Sequence, residues 1–306
     1  MAFDLQKFYT RLDAHYAALN IPATEQFLLQ SRQAALQAGE PELVRDGCPA
    51  CAPPAGPNGA LVAVCNELAC FYRGLSRWQE SLEQFTTAQQ EFEQYYQTAT
   101  PQYATVLLNK AGTYRYMGQP QQALELFQKA QGILARCPDT APGVLAGLAN
   151  NTGLALLDLG RPQQAIEQFL AALPIVQADP AMIVEQGSTW NNLAAAYDRL
   201  GDAENTAKAL DRAVEILSKL DCGHNPHYPA ALNMRGVHAY RAGRYADALQ
   251  DFEQALQITA MVYGENIEYA AGCDNCAAAC RALQQTAKAE AYAARAAAIR
   301  ERLGAV

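Results

Sequence analysis

Asn66, Asn109, Asn151, Asn192, Asn233 and Asn275 recur at steps of 43, 42, 41, 41 and 42 residues, and Asn150 and Asn191 double two of them. Asparagine is a poor residue for a helix interior, so a buried core does not ask for it. Its carboxamide carries two donors and an acceptor, which suits recognition rather than bond-making. A second series, Arg73, Arg115, Arg199, Arg241 and Arg281, follows most of these asparagines by six or seven residues, with Asp158 in the remaining place. That is roughly two helical turns, so both series should share a face. Guanidinium forks match carboxylates, and amides edged by arginine favour an acidic or C-terminal carboxylate ligand. The plainer reading of the arginines is that a helix C-terminus attracts cations without any ligand. Tyr116 and Tyr240 fall on the same surface and would add aromatic contacts.

Other chemistry is thin. The chain has nine Cys, among them Cys48-x-x-Cys51, Cys273-x-x-Cys276 and Cys280. A zinc site wants two such pairs brought together, and Cys48-Pro-Ala-Cys51 has only Cys65 and Cys70 near it in sequence. Those two are five apart on one helix, so their side chains diverge. Cys222-x-His224-x-x-His227 is similarly sparse. No phosphate-binding glycine loop, HExxH or GxSxG is present, so no catalytic residues, cofactor or metal ligands are assigned.

The elements that must carry these residues are read most easily from Trp190 to Leu217. Trp190, Leu193, Ala194 and Tyr197 stand at helical spacing, Gly201-Asp202 breaks the helix, and Leu210 and Ala213 resume an apolar stripe. This is a helix-turn-helix hairpin, and it recurs. The small residue opening its second helix is Ser81, Ala123, Ala165, Thr206, Ala248 and Ala289, at steps of 42, 42, 41, 42 and 41. Four residues later comes Phe85, Phe127, Phe169, Leu210, Phe252 or Ala293, and three further on an alanine, from Ala88 to Ala296. The turns carry Gly118, Gly160, Gly201 and Gly243, with Ser76 and Gln284 in the outer two, where a helix end needs a left-handed residue.

The order of aromatic, Leu-small, Tyr, Gly, small, large apolar and Ala resembles the tetratricopeptide repeat, with Thr206 and Leu210 as departures. A plain unit of that family is about 34 residues long, so both helices should be longer here. The linkers YGENIEYA (263–270) and HNPHYPA (224–230) resemble the long repeat of kinesin light chains. The resemblance covers residues 60 to 303 and implies an all-α, right-handed superhelical solenoid of antiparallel helix pairs. In that family the first helices line the concave surface, where asparagine bonds the backbone of an extended peptide. Carried over, this makes Asn109, Asn151, Asn192 and Asn275 the clearest rungs of a groove. Asn66 and Asn233 are displaced by one position.

Residues 1 to 46 read as a degenerate capping repeat of two helices, separated by Ile21-Pro22 with Thr24 as N-cap and with Tyr16, Phe27 and Leu28 facing the next pair. Residues 47 to 59, GCPACAPPAGPNG, read as an exposed loop. Six repeats of 41 to 42 residues fill 60 to 303. Register puts Cys65, Cys273, Cys276 and Cys280 in core positions, where free cysteine behaves as a small hydrophobe. Lys110 and Arg235 replace apolar residues at the Leu193 position, and looser packing is expected there. Tyr103, Tyr228 and Tyr269 begin first helices and should pack between units.

Over 306 residues, a net charge of −8 and a pI near 5.1 argue against a nucleic-acid footprint. Six lysines, none in a run, support no membrane-surface patch either. MAFDLQKFYTRLD is not a signal peptide, and no segment approaches the length of a membrane span, so a soluble cytoplasmic protein with reduced thiols is expected. The functional expectation is a non-enzymatic scaffold binding a protein or extended peptide. Two alternatives are a peptide-sensing regulator of a partner protein and a metal-binding protein acting through Cys48 and Cys51. Residues 1 to 40 hold no basic recognition helix of the kind that DNA-binding regulators add. The Ala-rich final helix lacks a polar capping helix, so the last repeat could pair with a copy of itself.

Overall fold

The computed structural model describes residues 3–38, 56–220 and 227–303. These form fourteen α-helices with no strand. In chain order the hairpins are α1 (Leu5–Ala17) with α2 (Ile21–Ala38), α3 (Gly59–Gly74) with α4 (Trp78–Gln94), and α5 (Pro101–Tyr116) with α6 (Pro120–Leu134). Next come α7 (Pro142–Asp158) and α8 (Pro162–Ala178), then a 3-10 turn at Pro180–Met182, then α9 (Ile183–Leu200) with α10 (Ala203–Leu217). Two further hairpins are α11 (His227–Arg241) with α12 (Tyr245–Tyr263) and α13 (Ile267–Ala282) with α14 (Thr286–Arg302). Contacts divide the chain into two compact units, Met1–Val144 and Leu145–Val306. In unit 1, α3 packs on α2, α4 and α5; in unit 2, α9 packs on α8, α10 and α11, and α11 reaches α13. First helices therefore meet first helices within each unit.

Local signals fix the helix ends. Asn58, Thr100, Asp202 and Asn266 cap first or second helices by accepting a backbone N–H three residues on. At α2 the cap is Asn20, whose Oδ1 accepts from Ala23 at 3.1 Å. Thr24, expected there, lies inside the helix and is buried, its hydroxyl donating to the Asn20 carbonyl at 2.8 Å. Asn20 wins because the helix begins at Ile21, with Pro22 in its first turn where no N–H is needed.

Every repeat turn closes in one way. In the reference repeat Gly201 has φ 73°, its N–H bonds the Asp198 carbonyl, and Asp202 N–H bonds the Tyr197 carbonyl at 3.0 Å. Ser76 (φ 58°) and Gln284 (φ 60°) are held in the same left-handed state, with Arg77 N–H on the Tyr72 carbonyl and Gln285 N–H on the Cys280 carbonyl, both at 2.9 Å. A side chain there costs ~1 kcal/mol that glycine avoids. Ser76→Gly and Gln284→Gly are each expected to raise stability by up to ~1 kcal/mol, read as a higher urea midpoint at unchanged slope. A lower midpoint in both would contradict this account of the turn.

The repeat register is the core. Ser81, Ala123, Ala165, Thr206, Ala248 and Ala289 are at most 2% exposed, as are Phe85, Phe127, Phe169, Leu210 and Phe252 beside them. Ala293, in the last repeat, is only half-buried. Cys65, Cys273, Cys276 and Cys280 are fully buried, and burial pushes the Cys276 thiol up to about 12. Lys110 and Arg235 both have their polar heads bonded, and a cleft of about 250 Å³ opens beside Arg235, as the looser packing expected there allows. Lys110 donates to Thr86 and Gln89 of α4, at 3.2 and 2.9 Å. Arg235 forks onto the buried Asp251 of α12, at 2.6 and 2.9 Å. In both places a second helix supplies the acceptor that the polar head needs. Tyr103 and Tyr228 are buried, each hydroxyl held by a second helix: Tyr103 donates to Glu93, and Tyr228 accepts from Gln254.

Candidate peptide-binding faces

In unit 1 the amides pair with one another. Asn109 Nδ2 donates to Asn66 Oδ1 at 2.8 Å, joining α5 to α3, and Arg73 Nη1 donates to the Asn109 carbonyl at 3.0 Å. Arg73 is half-buried and also lies against the Cys70 thiol. A cleft of about 480 Å³ opens beside this pair, lined by Tyr9 of α1, Val62 and Asn66 of α3, Phe92 of α4, and Gln102 and Val106 of α5. Toward the turns, the Arg115 guanidinium lies over Tyr116, 4.9 Å from the ring centroid. Tyr116 is 60% exposed and stacks on Trp78 at 6.4 Å.

In unit 2 the amides also bridge neighbouring first helices. Asn150 Nδ2 donates to the buried Thr189 hydroxyl at 2.9 Å, and Asn192 Nδ2 donates to Asn150 Oδ1 at 3.4 Å. Asn151 donates back to the Gly147 carbonyl of its own helix at 2.8 Å. The side-chain oxygens of Asn191 and Asn233 are buried and accept no hydrogen bond. Asn275 is half-buried, and Asn192 keeps its Oδ1 without a donor among the described residues. Arg199 and Arg281 are exposed, and no described carboxylate is within ion-pair distance of either. Arg241 instead pairs with Asp198 at 3.0 Å, and Tyr240 meets Tyr245 edge-on at 5.2 Å.

Each of these asparagines lies on a first helix of its hairpin. The partners of each amide were not foreseen. Thr189, Asp198 and Trp78, which meet Asn150, Arg241 and Tyr116, carry no periodic signal, since each occurs in a single repeat. Among the described residues no cluster of His, Cys, Asp and Glu could hold a metal, and no helix is long and apolar enough to cross a membrane. Cys48 and Cys51, and with them most of the 47–59 loop, lie outside the described residues, as do Cys222 and His224.

Stacked hairpins with first helices on first helices, one turn geometry and one core register define a repeat solenoid. The tetratricopeptide repeat family model matches residues 61–136 and 185–258. The chain carries tetratricopeptide repeats, here in a long form that recurs every 41 to 42 residues. No curated protein matches it in sequence. The structure of BtubC (BKLC) from P. vanneervenii superposes with a TM-score of 0.61 at 21% identity, over 76% of this chain and 92% of that one. The apo form of RapI gives a TM-score of 0.67 at 13% identity, over 97% and 76%. The nearly identical repeats of a kinesin light chain candidate from Podosopora anserina give 0.52 at 24% identity, over 65% and 94%. Identities this low speak for fold alone. Proteins built on this fold serve generally as interaction scaffolds.

Proposed function

We propose that the chain is a non-enzymatic scaffold that takes an extended peptide, or an extended segment of a partner protein, along the first-helix face of its repeats. The observation that carries this reading is the unused hydrogen-bonding capacity of Asn192 and Asn275 on α9 and α13 of unit 2, with Arg199 and Arg281 exposed on the same two helices. A peptide backbone supplies the N–H groups and carbonyls that such amides lack. The two free guanidinium groups favour a ligand with acidic side chains or a terminal carboxylate. Preformed helices lose little entropy on binding, which suits recognition of an otherwise disordered segment. A soluble, cytoplasmic setting belongs to the same proposal, as does self-association through the exposed alanines of α14.

The test begins with a peptide library bearing free carboxyl termini, selected on the full chain. The affinity of a selected peptide is then measured by calorimetry for the natural chain and for Asn192→Ala/Asn275→Ala. Each lost bond leaves a peptide group unpaired in the complex, at ~1–3 kcal/mol apiece, so at least tenfold weaker binding is expected. Alanine is the better helix former, so the melting temperature should hold. Arg199→Gln/Arg281→Gln should weaken the same peptide mainly at low salt. Equal affinities for all three chains would remove this face of unit 2 from the proposal.

A further inference from the structure

A second cleft of unit 1, of about 310 Å³, lies between α1 and α2 and is both aromatic and basic. Helix α1 lines it with Asp4, Lys7, Phe8 and Arg11, at i, i+3, i+4 and i+7, so one stripe of that helix faces it. Helix α2 presents Phe27 and Gln30 opposite. The floor is made of rings. Phe8 stacks on Phe27 with centroids 5.8 Å apart, Phe3 meets Phe8 at 5.9 Å, and Phe8 and Phe27 are only 3% and 6% exposed.

The rim carries two cations without counter-ions. Arg11 stands over the Phe27 ring, 4.9 Å from its centroid. Stacking uses the face of the guanidinium and leaves its in-plane N–H donors free. Acids outnumber bases 31 to 23 along the chain, yet no described carboxylate is within ion-pair distance of Arg11 or Lys7, and both are exposed. Arg77 of the same unit, by contrast, is held by Glu25 and Glu80, each at 2.8 Å. The carboxylate of the cleft itself, Asp4, is engaged as the cap of α1, where it accepts the Lys7 backbone N–H at 3.0 Å.

We propose that the α1–α2 cleft docks an acidic segment of a partner protein, seating a large apolar side chain beside Phe3 and Phe8 and bonding an adjacent carboxylate with Lys7 and Arg11. The inference goes beyond the reading of unit 2 and does not rest on it, since this cleft lies between the two helices of one hairpin. A guanidinium fork meets a carboxylate with two parallel bonds, and the ring beneath Arg11 orients the fork before the ligand arrives. Apolar contact with the rings supplies the rest of the affinity. A membrane surface would ask for a cluster of ~4–8 cations, and the cleft is lined by two.

The test selects from a peptide library in which Asp, Glu, Leu and Phe alternate with Ser in every order. The full chain is used, with Gln30 replaced by photoreactive p-benzoylphenylalanine at the wall of the cleft. A peptide that crosslinks there is then labelled and titrated by fluorescence anisotropy with the chain carrying its natural Gln30. Its affinity is expected to fall with salt, at least tenfold when its acids are exchanged for amides, at least tenfold in Lys7→Gln/Arg11→Gln, and several-fold in Phe3→Ser. Circular dichroism should stay unchanged, because Lys7 and Arg11 are exposed. Lys208→Gln/Lys219→Gln, which removes as much positive charge from α10, should have no effect. Failure of every acidic peptide to crosslink would overturn the site, as would equal loss in the two charge-removing variants. Loss confined to Arg199→Gln/Arg281→Gln would overturn it as well, while leaving the peptide-binding reading of unit 2 standing. Dimers of the chain alone that dissociate in Lys7→Gln/Arg11→Gln would make a second copy the occupant, and phosphatidylserine vesicles bound by the natural chain but not by that variant would make it a membrane. Either result would overturn the partner assigned here.

Discussion

A chain carrying Gly236→Val is expected to lose about 3 kcal/mol of stability. A Cβ on Gly236 would stand 2.5 Å from Phe252 Cε1, and Phe252 is only 2% exposed, so its ring has nowhere to turn. Gly153 meets Phe169 in the same way one repeat-pair earlier. Alanine should be milder, because its better helix propensity returns ~1 kcal/mol and because Ala69 and Ala111 hold the equivalent position in other repeats. Phe252→Ala alone should cost ~3–5 kcal/mol through the cavity it leaves. Combined with Gly236→Val, the loss should fall short of the sum by ~1–2 kcal/mol, since the valine methyls occupy the vacated space. Urea denaturation of the four chains, followed by helical circular dichroism, measures this cycle. Strict additivity would mean that the close approach of ring and backbone is not what excludes a side chain at position 236.

The second large effect is expected at Arg235. Asp251→Ala should cost about 2 kcal/mol, because it removes a buried carboxylate and leaves the guanidinium fork without its main acceptor. The figure sits below that for a fully buried pair because the Arg235 side chain is 30% exposed and Asp211, at 3.4 Å, offers a weaker alternative. The other repeats indicate the remedy, since Leu68, Leu193 and Cys276 occupy the place of Arg235 and are all buried. Arg235→Leu/Asp251→Leu should therefore recover most or all of the loss. If the double-leucine chain were as unstable as Asp251→Ala, the ion pair would be doing something that apolar packing cannot replace.

How far the sequence reaches can be judged residue by residue. Phe85, Phe127, Phe169 and Phe252 are all in the core because a repeat forces one register on every unit, and periodicity alone reveals it. The left-handed turns at Ser76 and Gln284 were legible for the same reason, although neither residue type asks for that backbone. Cys273, Cys276 and Cys280 could be told from a metal site by register, and they are buried. The asparagines were legible only as positions on the first helices. Whether Asn109 points to a ligand or to Asn66 depends on the distance between two helices 43 residues apart, and no local rule sets that distance. The α1–α3 cleft was out of reach for a similar reason. Tyr9 of α1 and Asn66 of α3 line it together, and no repeat pattern relates the two.

The buried thiols make the chain its own recorder of local motion. A thiol reagent reaches Cys65 in unit 1, or Cys276 in unit 2, only when the helix carrying it swings open, because both are fully buried and burial raises both thiols. In a chain keeping one of these cysteines and serine elsewhere, the labelling rate divided by that of a free thiol gives the fraction of time the hairpin stands open. Cysteines placed by packing needs alone would thus let the breathing of the first long repeat and of the last be clocked separately, in a molecule that carries no attached probe.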